Sequence, residues 1–235
     1  MNFVYVTDTK WQTFLRAEWD HYPPHSRNEL CHVVDPVIHY ERSLRTVLAR
    51  HRALLDEFAS VSGAFTTFMQ RPSPKTATAE EHAGLSRHGD TTALIHLDVE
   101  TFYLFAKILL DRIAIALERW FGPVRKASIA SHSKLTKNFA TYAAAIPLEA
   151  SSDVGGRLNE LRKRVSDFRD YQIAHEQGRN TLRGTKWAAG QEPRIFVAPV
   201  ESESLETLME MIDAYIECVT TMIAINRGRS RLLVG

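Results

Sequence analysis

Through most of this chain the apolar positions recur every three or four residues, the spacing of helices that bury one face. From Val37 the series Tyr40, Leu44, Leu48, His51, Leu55, Phe58, Ser62, Phe65 and Phe68 holds helical phase. Asp35-Pro36 just before it reads as an N-cap followed by proline in the first turn, so a helix is expected over 36–69. A second series, Val99, Phe102, Tyr103, Phe105, Ile108, Leu109, Ile113 and Leu117, is apolar nearly all round and predicts a central helix over 98–120, stopped by Gly122-Pro123. Shorter helices are expected over 9–19 and 133–145. Ser151-Ser-Asp153 caps another, whose stripe is Val154, Leu158, Leu161, Val165 and Phe168. The last helix, 203–225, buries Leu205, Leu208, Met209, Ile212, Tyr215, Ile216, Val219, Met222 and Ile223.

Three stretches break the helical period. Residues 1–34 read as an irregular N-terminal segment around the short helix, with a turn at Pro23-Pro24. Residues 71–93 are polar and rich in Pro, Ala and Thr, and read as a long loop inserted between helices. In 180–200, Thr181–Trp187 and Arg194–Ala198 flank Ala188-Ala-Gly-Gln-Glu192, the pattern of a small β-hairpin before the last helix. The expected fold is all-α, a helical bundle forming a single domain over 1–235.

Composition narrows the function classes. Hydrophobic residues make up 44% of the chain and charged residues 24%, ordinary values for a globular protein. The formal net charge of +1 means that any basic surface must be local. Cys31 and Cys218 form no disulfide framework and match no zinc spacing, and the first ten residues lack the layout of a signal peptide; a cytoplasmic location is expected. The most apolar run, 95–121, is interrupted by charged residues, Asp98, Glu100, Lys107, Asp111 and Arg112 among them, so no membrane span is expected. No clustered His and carboxylate spacing points to a metal, and no glycine-rich phosphate loop points to a nucleoside triphosphate. Neither a metal nor another cofactor is expected.

The chemistry concentrates at the end of the helix that begins at Ser151. Arg169-Asp-Tyr-Gln-Ile-Ala-His175 sets an arginine and a histidine near a helix end, where the guanidinium can neutralise a phosphate and the imidazole can move a proton near pH 7. The order of arginine, polar follower and histidine after five intervening residues resembles the signature of the HEPN superfamily, and Phe-Arg-Asp-x-x-x-Ala-His is similar to its abortive-infection-type members. The same looser spacing occurs at Arg16–His21, Arg27–His32, Arg45–His51 and Arg125–His132, but not late in a bundle. The resemblance implies a HEPN-like bundle and a metal-independent endoribonuclease of a toxin or phage-defence system. In that chemistry the RNA 2′-hydroxyl attacks the adjacent phosphorus, His175 is general acid or base, Arg169 stabilises the charged transition state, and Asp170 orients one of them.

Six residues of straight helix separate Arg169 from His175 by roughly 9 Å and about 120°, so convergence on one phosphate needs a long arginine, a distorted turn or a second subunit. The resemblance implies the last, a homodimer with a shared cleft, and an antitoxin protein as a further partner. Excess apolar surface on the last helix, at Met209, Met222 and Ile223, is read as pointing the same way.

Glu100 and Asp111 are candidate acidic partners on the central helix, although Asp111 also has the spacing of an internal pair with Lys107. Arg179, Arg183, Lys186 and Arg194 around Trp187 are candidate RNA contacts, cations interleaved with a stacking surface, and equally the polar dress of a solvated hairpin. The alternative reading of the whole is a non-catalytic helical dimer that binds a nucleotide or a partner protein; a third is a helical dimer in which Arg169 and His175 are purely structural.

Overall fold

The computed structural model describes residues 8–72, 76–166, 183–186, 194–197, 200–201 and 204–233. The fold is all-α. Its helices are α1 (Lys10–Glu18), α2 (Pro24–Met69), α3 (Ala79–Phe121), α4 (His132–Ala145), α5 (Ser151–Leu161) and α6 (Leu205–Ile225). Helix α5 runs on into a π turn, Arg162–Ser166, and short 3₁₀ turns follow α1 and α6. Within 180–203 the described residues form three short antiparallel strands, Arg183–Lys186, Arg194–Val197 and Val200–Glu201, the first pairing Arg183 with Val197 and Lys186 with Arg194.

Two boundaries differ from the sequence expectation. Helix α2 does not begin at Pro36 but at Pro24, with Pro23 extended before it, and Pro36 sits inside the helix. An interior proline costs about 3 kcal/mol and leaves the carbonyl four residues back without its donor. Burial of Leu30, Val33, Val34, Val37 and Ile38 on both sides of it offsets that cost. The segment 1–34 is therefore largely helical where it is described.

The second correction concerns 71–93, which is not a long loop. Helix α3 starts at Ala79 behind a capping box in which the Thr78 hydroxyl accepts from Glu81 N at 3.3 Å and the Glu81 carboxylate accepts from Thr78 N at 2.9 Å. Its buried stripe here is carried by side chains that do not look apolar. Thr91 is buried, and His88 stacks on Phe65 with ring centroids 4.2 Å apart and planes 5° apart. α2 and α3 thus form one long antiparallel helical pair.

The core lies where α1, α4, α5 and α6 pack around the N-terminal half of α2 and the C-terminal half of α3. All nine apolar positions expected to be buried on α6 are buried. Met209, Met222 and Ile223 are among them, so they supply no surplus surface for a dimer. Among the described residues the large exposed apolar side chains are Met69, Leu94, Leu97, Leu104 and Ile225.

Buried carboxylates tie the elements together. Glu41 accepts the first two amides of α1, Lys10 N at 2.7 Å and Trp11 N at 3.1 Å, where the helix dipole favours an anion. Arg45 then bridges Glu41 and Asp213 at 2.9 and 2.6 Å, joining α2 to α6. Glu18 takes both arms of Arg227 at 2.7 Å. Asn226 binds the backbone of Glu149 from both ends of its amide, each at 3.0 Å, which pins the start of α5 beside the end of α6.

Candidate functional site

The stripe Val154, Leu158, Leu161 and Val165 is buried as expected, so α5 is held in the core up to four residues before Arg169. Arg169, Asp170, His175, Arg179 and Trp187 lie outside the described residues. Arg183, Lys186 and Arg194 lie on the strands, with Lys186 opposite Arg194 in register.

Of the acidic candidates, Glu100 is half-buried on α3 and Asp111 lies eleven residues further on, roughly 16 Å along the helix. The two cannot serve one reacting group. Asp111 accepts from Lys107 Nζ at 3.0 Å, the internal pair that the spacing allows, and from the backbone amide of His132 at 2.7 Å. That second bond clamps the first residue of α4 to α3. Glu118 does the same for the residues just before α4, accepting Ile129 N at 3.0 Å. Asp111 thus fixes the loop that leads into α4.

At this junction α3, α4 and the π turn after α5 come together around His132. The imidazole is 1% exposed, and among the described residues neither ring nitrogen has a hydrogen-bond partner. Burial pushes its pKa down to about 4, the Lys107 and Arg162 charges push the same way, and Asp111 opposes them. His132 is therefore neutral at pH 7. The influence of Arg162 on it places the end of α5 beside the start of α4, as two antiparallel helices joined by the short connection 146–150 require.

The other Arg-to-His spacings fare unevenly. Arg16 is paired with Asp8; Arg27 donates to the Tyr22 carbonyl at 3.1 Å and lies over the Trp19 ring; Arg45 is held by Glu41 and Asp213. Arg125 is exposed, but its histidine is the buried His132.

Sequence reasoning missed a basic surface. Between Gly122 and Ser166 the chain has eight basic residues and three acidic ones, and all eight are exposed: Arg125, Lys126, Lys134, Lys137, Arg157, Arg162, Lys163 and Arg164. The net charge of +1 hides this, because the remainder of the chain has an excess of acid. A running count of charge along the sequence would have found it. Lys137, one of these cations, lines a groove of about 580 Å³ between α4 and α5.

No family model, no curated protein and no solved structure matches this chain. Among the described residues no helix is long and apolar enough to cross a membrane, and no group of three or more His, Cys, Asp or Glu is placed to hold a metal ion.

Proposed function

We propose that the chain is a HEPN-like, metal-independent endoribonuclease of a toxin or phage-defence system, acting through Arg169 and His175 at the cleft of a two-fold dimer. The observation that supports this reading is the helix that precedes the motif in the chain. Its stripe is buried through Val165, and its last described turn is a π turn with exposed Arg162, Lys163 and Arg164. π turns are frequent at functional sites because they re-aim the side chains that follow them. A helix anchored on one side and cationic at its end suits the approach of a phosphodiester. Arg16, Arg27 and Arg45, from three of the competing spacings, are engaged within the fold.

In the reaction a base takes the proton of the 2′-hydroxyl, the 2′-oxygen bonds to phosphorus, and the bond to the 5′-oxygen breaks. The leaving oxygen takes a proton, so the products are a 2′,3′-cyclic phosphate and a 5′-hydroxyl. His175 serves one or both proton transfers, and Arg169 stabilises the charge on the phosphoryl oxygens. The test is incubation with RNA in the presence of a chelator. Wild type should yield cyclic-phosphate ends, His175→Ala should lose about 10²–10⁴-fold in rate, and Arg169→Lys should lose most activity because lysine lacks the planar fork. Cleavage unchanged in His175→Ala removes the assigned role.

One observation favours the alternative of a non-catalytic helical dimer that binds a nucleotide or partner protein, an antitoxin included. Leu94, Leu97 and Leu104 are exposed on α3 at spacings of three and seven, one face of the helix. If no RNA is cleaved and Leu97→Glu breaks self-association, that reading replaces the first.

A further inference from the structure

Beside the end of α5 lies a groove with one polar and one apolar character. Its floor is made by Phe139 and Leu158 with small alanines, and its walls by Lys137, Ser152 and Asn159. α4 runs one way along it and α5 the other, so the N-terminal half of α4 faces the C-terminal end of α5. Lys137 lines that end; Lys134 lies three residues before it on α4, and Arg162 and Lys163 begin the π turn after α5, all exposed. Among the described residues none of these four makes an ion pair with a carboxylate. Among the described residues that line the groove, none at the other end, at Pro147 and Leu148, is a cation.

We infer that this groove is the path of a single-stranded RNA, with phosphates on Lys134, Lys137, Arg162 and Lys163 and one or two bases laid on the apolar floor. The chemistry requires both parts. Cations attract any polyanion and supply affinity without selectivity. An acidic peptide would need the cations but not the apolar floor, whereas a base has a flat apolar face to cover and edges that meet hydroxyls and amides such as Ser152 and Asn159. The α5 wall of the groove ends at Asn159, three residues before the π turn. The choice of RNA over DNA rests on the ribonuclease reading; the groove itself does not.

The measurement is fluorescence anisotropy of a labelled single-stranded RNA oligonucleotide on full-length protein carrying His175→Ala, so that cleavage cannot disturb it. Lys134→Glu combined with Lys163→Glu should weaken binding by tenfold or more, at about 0.1 M salt. It should also make the log–log salt dependence shallower by roughly 1.4, about 0.7 for each phosphate of a single strand that is no longer neutralised. Gly155→Leu fills the groove without altering charge. A Cβ there meets Phe139 at 3.7 Å, an ordinary van der Waals separation, so the helix accepts it while the base slot closes and affinity falls. Arg42→Glu, at an exposed cation on α2, should change nothing. Circular dichroism checks that each variant is folded.

Binding untouched by the double reversal overturns the proposal. So does competition by polyglutamate as strong as by RNA, and equal affinity for DNA of the same sequence overturns the assignment to RNA. The two readings fail separately. A protein that binds through the groove but whose native form cleaves nothing sinks the nuclease alone; one that cleaves RNA at full rate with the groove reversed sinks this path alone.

Discussion

The two halves of the α2–α3 pair are held by different means. Around Trp120 the helices sit in a bundle. Trp120 meets Tyr22 edge-on at 5.6 Å and Phe14 at 5.7 Å, and α1, α4, α5 and α6 close around them. Arg52, paired with Glu206 on the first turn of α6 at 3.0 Å, marks where that support ends. Beyond it α2 and α3 continue to Met69 and from Ala79, and among the described residues they pack on each other. There the ties are the Arg87–Glu57 and Arg71–Glu81 pairs, the capping box at Thr78, and His88 set against Phe58 and Phe65. Surface ion pairs contribute about 0–1 kcal/mol each. The bundle half is therefore stable by packing and the outer half by helix propensity and capping, which makes the outer half the first to open.

The largest effect that tests this contrast is in the core. Trp120 is fully buried, and Trp120→Ala should cost about 3–5 kcal/mol and unfold the bundle cooperatively. Phe65, half-buried against His88, should cost roughly 1–2 kcal/mol when cut to alanine, mostly as local opening. Denaturant midpoints with amide exchange resolve the two. Equal global losses would show that the halves are one cooperative unit.

Acid is the next probe, because each half has a histidine whose pKa burial lowers. The His132 value of about 4 lies below the ordinary 6.5. Between those values the unfolded chain takes up a proton that the folded chain refuses. Stability is therefore full above about pH 6.5, falls as pH drops toward 4, and loses up to roughly 3 kcal/mol. His132→Gln should flatten that limb of the stability–pH curve. His88 is shifted in the same direction by the same cause but is less buried, so His88→Gln should flatten it less. A larger change from His88 would reverse the assignment of the strong acid response to the bundle.

Where the sequence was legible follows the same division. The α6 stripe reads correctly because all nine positions are apolar and one face of the helix is wholly covered. The outer half of α3 does not, since His88 and Thr91 stand where leucines would mark a stripe and Gly84 and Gly89 interrupt it. Its one local mark was the Thr78-x-x-Glu81 box, a four-residue signal inside a long polar stretch. Pro36 misled in the opposite way, a genuine helix-start signal overridden by apolar residues on both sides of it. At the site, the Lys107–Asp111 pair is readable because it is local. The bond from Asp111 to the His132 amide spans twenty-one residues and exists only because α3 and α4 pack.

The glycines differ in sign between the halves, and those inside α3 give the smallest effects. Gly84 and Gly89 are inside α3, and a Cβ added at either meets nothing within 4 Å. A mid-helix glycine is less stable than alanine by about 0.5–1 kcal/mol, because its unfolded backbone has more freedom to lose. Gly84→Ala and Gly89→Ala should each raise stability by that amount, seen first as slower amide exchange near Ala79. Gly122 ends α3 with φ at +93°, a conformation that L side chains rarely adopt, and its Cβ would collide with Cδ of Arg231. Gly122→Ala should therefore destabilise, by about 1–3 kcal/mol, with the 3₁₀ tail displaced from its place over the helix end. If Gly84→Ala destabilises instead, the outer half of α3 is packed against something beyond α2, and the division between the halves fails there.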